Sequence, residues 1–419
     1  MTAVEEQQRA GGVAVEDPEG RAARRTPPPG SPLAGARVRP ALFALALGGF
    51  SIGTTEFASM GLLPQMAADL NVSIPVAGHV IATYALGVVV GAPLLTAAAA
   101  RVDRRVLLLG LMAAFVVGNV LSAFAPSAGW LEVARFVAGL PHGAFFGVGA
   151  VVGTAVVGPA KRGRAVATMM AGLTIANVVG VPLSTVVGQH VSWRAAFVVV
   201  GVLGLVTLAA LWRWLPALAA HPDATVRTEL AALRNRRLWI SFAAAAIGFG
   251  GMFAVYSYVA PLITEVTRLP VATVPIVLGL FGLGMTVGTV IGGRLADRSV
   301  LRTVFVGFAS TAVVLVLIAV TGRNPVGAVG SIVLLGIACQ VLGLALQTRL
   351  MDLSPAAPSL GAALCHSALN LGNASGAFLG GLVIAGGYGY LAPAWLGAGL
   401  TVVGLLIVAV AGRAPAPTR

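Results

Sequence analysis

The chain has 419 residues, of which 58% are hydrophobic and only 10% charged, and its mean hydropathy is +0.93. That composition cannot furnish a soluble surface of ordinary polarity, so the chain must be solvated by lipid. The net charge of +13 gives no support to nucleic-acid binding, because the basic residues lie in short segments between long apolar runs and not on one soluble domain.

The first 40 residues carry Glu5, Glu6, Glu16, Asp17 and Glu19, then Arg21, Arg24, Arg25 and the run Pro27-Pro28-Pro29-Gly30. A polar, Pro-rich segment of this kind is expected to be a disordered tail. It lacks the basic-then-apolar order of a cleavable signal peptide, so the first apolar segment is expected to act as an uncleaved insertion signal. A spanning helix needs about 20 mostly apolar residues. Runs of that length are read at 41–63, 77–100, 106–125, 130–153, 164–189, 195–215, 238–262, 271–293, 301–321, 326–348, 358–386 and 391–412. The expectation is an all-α membrane protein with twelve transmembrane helices.

Basic residues set the orientation. Arg101, Arg104, Arg105, Lys161, Arg162, Arg164, Arg227, Arg234, Arg236, Arg237, Arg294, Arg298, Arg302 and Arg349 fall on one set of loops, and only Arg194, Arg268 and Arg323 on the other. The positive-inside rule then puts both termini in the cytoplasm, which requires an even number of spans. Lys161 is the single lysine. Arginine so outnumbering lysine points to a GC-rich genome and fits a bacterial plasma membrane.

Glu56 lies in the first span, within Gly49-Phe-Ser-Ile-Gly-Thr-Thr-Glu56-Phe-Ala-Ser-Met-Gly-Leu-Leu-Pro64, with no basic residue close in sequence. An acidic side chain at a helix centre costs roughly 2.5–3.5 kcal/mol on insertion scales, so it is expected to line a cavity or to titrate, and a titrating carboxylate can carry a proton. The alternative is a hydrogen bond to a neighbouring helix. Cys339 and Cys365 both fall inside spans, where a thiol is more often packing than chemistry, and no disulfide framework or metal site is implied.

The two halves of the chain repeat. Laying Pro64 over Pro261 puts Gly87 on Gly284, Gly91 on Gly288 and Arg101 on Arg298. Duplication of a six-helix unit explains the constant offset. The organisation expected is a tail over 1–40, an N-terminal six-helix bundle over 41–216, a cytoplasmic linker over 217–237, a C-terminal bundle over 238–412 and a tail over 413–419. Paired repeats with a site at their interface are the architecture of many secondary transporters. No GxxxxGK[ST] loop exists in the chain, so energy is expected from an ion gradient and not from ATP.

Gly292-Gly293-Arg294-Leu295-Ala296-Asp297-Arg298, closing the eighth span, resembles the G-x-L-A-D-R signature of the major facilitator superfamily. Its glycines allow helices to approach, and its charges can bond across a bundle interface. The resemblance implies two pseudo-symmetric six-helix bundles, and a cytoplasmic gate made by Gly293, Arg294, Asp297 and Arg298. The first-half copy, Ala97 to Arg105, has Ala100 where the acid belongs, so its gating role is in doubt.

In the fourth span, Ala134-Arg135-Phe-Val-Ala-Gly139 resembles the superfamily's R-x-x-x-G signature. An intramembrane arginine snorkels, pairs, or couples substrate to protons. The resemblance favours coupling, with Glu56 or a carbonyl of the adjacent helix as partner. His142, seven residues on, shares nearly the same face and reads either as a packing residue or as a proton relay. The fifth span, Ala171 to Gly188, is similar to the Gly- and Pro-rich antiporter signature of exporters, through Gly172, Gly180, Pro182 and Gly188, with Val181 in place of a glycine before the proline. The stretch Gly53-Thr-Thr-Glu56-Phe, Gly61-Leu-Leu-Pro64, Asp69-Leu and Val72-Ser-Ile-Pro75 is similar to the twelve-span drug:proton antiporters, particularly chloramphenicol-resistance and arabinose-efflux-like exporters.

That resemblance implies no enzyme activity, no cofactor, and a monomer that exchanges protons for a small-molecule substrate. The expected cavity between the halves is lined by Glu56, Thr55, Met60, Tyr84, His142, Asn177, Phe253, Tyr256 and Tyr258, some of them ordinary packing. An exporter of a drug such as chloramphenicol, an exporter of a sugar, nucleoside or other metabolite, and a transporter-like sensor remain the readings. Glu56, Arg135 and the antiporter-like helix argue against the sensor.

Overall fold

Inside a bilayer no water is available to satisfy an open backbone, and the chain meets that constraint with helices alone. The computed structural model describes residues 35–98, 102–158, 161–216, 233–355 and 358–412, and these contain no strand. Residues 1–34, 217–232 and 413–419, and with them most of the expected tails and linker, lie outside the described residues, as do Ala100 and Arg101. Twelve described helices are long and apolar enough to cross a membrane. They are α1 (Val38–Asp69), α2 (Ile74–Leu95), α3 (Arg104–Ala123), α4 (Ala128–Val157), α5 (Gly163–His190), α6 (Trp193–Trp214), α7 (Arg236–Tyr256), α8 (Val271–Arg298), α9 (Val300–Thr321), α10 (Pro325–Asp352), α11 (Leu360–Tyr388) and α12 (Ala392–Val410).

The count matches the sequence expectation, and several ends move. Helix α1 runs through Pro64 to Asp69, because the helix continues past the expected stop at the proline. Helix α7 stops at Tyr256, short of the expected 262, where the Ser257-Tyr258 turn interrupts it before a short helical piece and a π turn at Leu262–Val266. Polar caps start the helices where the sequence allows: Ser127, Ser192 and Asn324 each accept a backbone N–H of the first turn of α4, α6 and α10.

The duplication is visible atom by atom. A side chain at Gly87 would run into the carbonyl of Phe136, and one at Gly284 into that of Val333. Gly91 meets the carbonyl of Leu140, and Gly288 that of Ile337, while Gly139 and Gly336 face the carbonyls of Tyr84 and Phe281. All six positions and their partners share the offset that aligns Pro64 with Pro261. The α2–α4 crossing of one half is thus the α8–α10 crossing of the other. In both, missing side chains let two backbones touch, which is how helices associate in hydrocarbon, where apolar burial alone gives no preference for protein over lipid. The α1–α5 and α7–α11 pairs repeat as well, with Gly172 on the carbonyl of Ala46 and Gly372 on that of Ala246.

The halves are joined unequally. One apolar core holds the C-terminal half together with Leu62, Leu63, Met66, Ala77, Val80, Trp193 and Phe197 of the N-terminal half, all at the end remote from the basic loops. At the basic-loop end the N-terminal half has a separate core of Leu45, Leu108, Phe115, Phe145, Val152 and Leu211. Tyr258 fastens the remote end: its hydroxyl donates to the carbonyl of Ala377 at 2.7 Å and fills the space beside Gly78 of α2 and Gly381 of α11.

Gly87→Leu and Gly284→Leu are expected each to cost about 2 kcal/mol or more, because the obstruction is backbone and cannot rotate away. Gly110→Leu, with open space at its Cβ position, is expected to leave the thermal midpoint of the purified protein in place. Equal midpoints for all three variants would refute the backbone-contact account.

Candidate functional site

A guanidinium with 0% exposure inside a membrane helix needs partners, and Arg135 of α4 has them for both terminal nitrogens, while its Nε has none among the described residues. Its Nη1 donates to Thr55 Oγ1 and its Nη2 to the Thr55 carbonyl, both at 2.9 Å. The Thr55 hydroxyl in turn donates to Asn119 Oδ1 at 2.5 Å, and Asn119 Nδ2 donates to the carbonyl of Phe115. The Tyr84 ring lies 4.3 Å from the guanidinium carbon and the Phe197 ring 5.2 Å, close enough for the aromatic faces to attract the charge. Four helices, α1, α2, α3 and α6, therefore hold an arginine supplied by a fifth.

Glu56, the residue after Thr55, is 7% exposed. Its carboxyl is within electrostatic reach of Arg135 and Tyr84, yet among the described residues no ion pair or hydrogen bond closes on it. Of the two partners expected for Arg135, the structure selects the carbonyl of α1, one residue before the acid. The acid is left near a fixed positive charge and without a bond of its own.

Tyr84 connects this clamp to the other half of the molecule. Its hydroxyl is 3.1 Å from His142 Nδ1. The His142 ring lies 5.9 Å from that of His366 on α11, and Phe146 stacks on His366 at 5.4 Å with an interplanar angle of 8°. His366 was not among the residues expected from sequence. A buried polar stripe was the signal available, since His366, Asn370 and Asn373 recur at helical spacing in α11.

The remaining expected residues separate into different places. Thr55 is fully buried as the partner of Arg135, and Met60 packs in the shared apolar core. Phe253 stacks on Phe57 at 6.3 Å. Tyr256 stacks on Phe281 at 4.0 Å, and its hydroxyl is buried without a partner. Asn177 donates to the carbonyl of Leu173 and keeps a buried, unpartnered Oδ1. Tyr258 belongs to the closed remote end.

Helix α5 carries its small residues against α1: Gly172 faces Ala46, Gly180 faces Thr54 and Gly188 faces Leu62, in a register of eight residues along both helices. Just before Pro182, residues Ala176–Gly180 form a π turn. The proline has no N–H for the carbonyl four residues back, that of Val178, and the widened turn accommodates the loss. Gly279 and Gly282 of α8 lie over this stretch, against Pro182, Val178 and Asn177.

The expected gate at the end of α8 is not engaged in this conformation. Arg294, Asp297 and Arg298 are exposed, and none has an ion pair or side-chain hydrogen bond among the described residues. Gly293 has open space beside it, and it is Gly292 that approaches α10, at Val341. The helical repeat explains the shift, since neighbouring residues differ by about 100° in direction.

A sequence profile of the Major Facilitator Superfamily matches residues 45–359. The chain is 42% identical over 372 residues to the inner membrane transport protein YdhP of Escherichia coli K12, covering 89% of this chain and 96% of that protein. It is 33% identical over 370 residues to a chloramphenicol resistance protein of Streptomyces lividans, covering 87% and 94% of the two chains. The solved structure of the nucleoside transporter NupG superposes with a TM-score of 0.69 at 14% identity, over 89% of this chain and 99% of that one, and so shares the fold. The chain belongs to the Major Facilitator Superfamily: it is a multi-pass membrane transporter and not an enzyme.

Thr55→Val keeps the volume of the side chain and removes the oxygen that bonds both Arg135 and Asn119. It is expected to cost roughly 2–3 kcal/mol, the range for leaving a buried charged donor of Arg135 and the Asn119 amide oxygen unmatched, seen as a lower thermal midpoint. An unchanged midpoint would show that the clamp does not hold α1 to α4.

Proposed function

We propose that this transporter is a proton-coupled antiporter that exports small, drug-like molecules such as chloramphenicol, with both termini in the cytoplasm of a bacterial plasma membrane. The observation that carries the reading is Glu56, an acid buried next to a clamped arginine and bonded to neither it nor any other described residue. A carboxyl so placed changes its interactions when it gains or loses a proton, and that change can be tied to which end of the molecule is open.

In the proposed cycle, protonation of Glu56 from the exterior releases substrate, and loss of the proton to the cytoplasm restores the substrate-accepting form. Arg135, fixed by Thr55, keeps a positive charge within electrostatic reach of the acid. Tyr84 and His142 extend the polar path towards α11. With both termini cytoplasmic, the end fastened by Tyr258 is exterior and the α8 loop interior. In the proposed cycle Gly293, Arg294, Asp297 and Arg298 meet their partners when the interior end closes. The glycine register of α5 on α1 fits the antiporter signature, and the 33% identity to a chloramphenicol resistance protein suggests the substrate.

The test is transport into inverted membrane vesicles under an imposed proton gradient, comparing wild type with Glu56→Gln for chloramphenicol and a panel of unrelated drugs. Gradient-driven uptake that Glu56→Gln abolishes is the expected result, with a fall in rate of 100-fold or more on the scale of general acid–base contributions. Unchanged uptake in the variant would remove Glu56 from the mechanism, and no uptake of any drug by wild type would move the substrate to a metabolite.

A further inference from the structure

Helix α11 presents three faces. Gly372, Gly376 and Gly380 lie against the backbone of α7 at Ala246, Gly250 and Ala254. Gly381 lies at the Tyr258 hydroxyl, near α2. Between these contacts runs a stripe formed by His366, Asn370 and Asn373, one turn apart and on one side of the helix. His366 fixes its direction, because that ring meets His142 and Phe146 of the N-terminal half.

The stripe is buried and its hydrogen-bonding capacity is mostly unused. Asn373 is 1% exposed, and neither its Nδ2 nor its Oδ1 has a partner. Asn370 is 4% exposed; its Nδ2 donates to the carbonyl of His366, but its Oδ1 is unpartnered. The same is true of the Ser367 hydroxyl beside it, and of Tyr256 and Asn177 on α7 and α5. Most buried polar atoms in proteins are satisfied, and each that is not carries a cost. Ser367, Asn370 and Asn373 lie within two turns of one helix, and their unused groups together are poor packing and a good binding surface.

We propose that the His366, Asn370 and Asn373 stripe is the C-terminal half's wall of a binding site for an uncharged solute rich in hydroxyl and amide groups. The inference rests on the reading that the chain carries its solute between the two halves, and it narrows the chemistry of that solute. Two of the unused groups of the stripe are amide oxygens, on Asn370 and Asn373, and these call for O–H or N–H donors. The unused Asn373 Nδ2 and the Ser367 hydroxyl can return bonds to the ligand's oxygens. A lipophilic cation offers no such donors and would need an acid beyond Glu56, which Arg135 already faces; among the buried residues described, Glu56 is the one carboxylate. An anion would meet the amide oxygens with the wrong sign.

The experiment is equilibrium binding to the purified protein in lipid nanodiscs, with no gradient present. The probes are chloramphenicol, uridine and arabinose as neutral solutes, and tetraphenylphosphonium as the cation, each measured in choline and in sodium buffer. Asn373→Leu keeps approximate volume and removes both unused groups. It is expected to weaken binding of a neutral probe about tenfold or more, the equivalent of a hydrogen bond lost, and to leave the thermal midpoint unchanged or raised. A merely structural asparagine would lower the midpoint instead.

Preference of wild type for tetraphenylphosphonium, binding of none of the neutral probes, or a midpoint raised by sodium alone would overturn the inference. So would a variant that binds the neutral probe as wild type does. Because binding needs no proton gradient, loss of this proposal leaves the antiport reading standing, and a failure of gradient-driven transport leaves the stripe standing.

Discussion

Helices surrounded by lipid gain nothing from hiding apolar surface, since lipid tails are as apolar as leucine, so their association depends on how closely their backbones can come. In this transporter that closeness is set by glycines facing carbonyls. Gly87 and Gly91 against α4, Gly284 and Gly288 against α10, and Gly172 against α1 leave gaps that no side chain could occupy. Every other arrangement in the molecule, including the positions of its few buried polar groups, follows from these crossings. The repetition of the same carbonyl partners in both halves means that one solution to the packing problem has been used twice.

On that frame the two halves have diverged in chemistry while keeping their geometry. The N-terminal half holds the charge: Glu56, and Arg135 clamped by Thr55, Asn119, Tyr84 and Phe197. At the offset that aligns the repeats, Arg135 corresponds to Ile332 and His142 to Cys339, both buried in the apolar core. The C-terminal half offers neutral groups in their stead, the amides of α11 and the hydroxyl of Tyr256. The buried charges thus lie in one half and the unpartnered amides of α11 in the other, and His142 and His366 are in contact across the two.

Much of this was legible in the sequence because membrane helices are written in plain terms. Apolar length gave twelve spans, and constant glycine spacing gave the repeat before any contact was known. Individual partners were not legible. Arg135 was expected to find Glu56 or a carbonyl, and only the fold shows that Thr55 supplies two acceptors while the acid stands aside. Polarity in the first span points Thr55 to a cavity, and the pseudo-equivalence of the seventh span to the first points Tyr258 there. Their actual roles, holding an arginine and plugging the space between Gly78 and Gly381, depend on neighbours from distant parts of the chain. His366 is not legible alone because a lone histidine has no local signature, and its meaning comes from the asparagines at the next turns. The signature loop of α8 shows the reverse case, a motif clear in sequence whose charges have no partner among the described residues.

The contact between α5 and α8 differs in kind from ordinary helix packing. Gly279 lies over the Pro182 ring and the Val178 carbonyl, and Gly282 lies over the main chain of Asn177 and Val178 in the π turn. Interlocked side chains hold two helices in discrete registers, and moving between registers requires many rotamers to change together. At Gly282, where main chain meets main chain, no side chain of α8 enters a hole in α5. A bulky residue there would add a tooth to the junction of the halves, separating the two backbones and fixing their register.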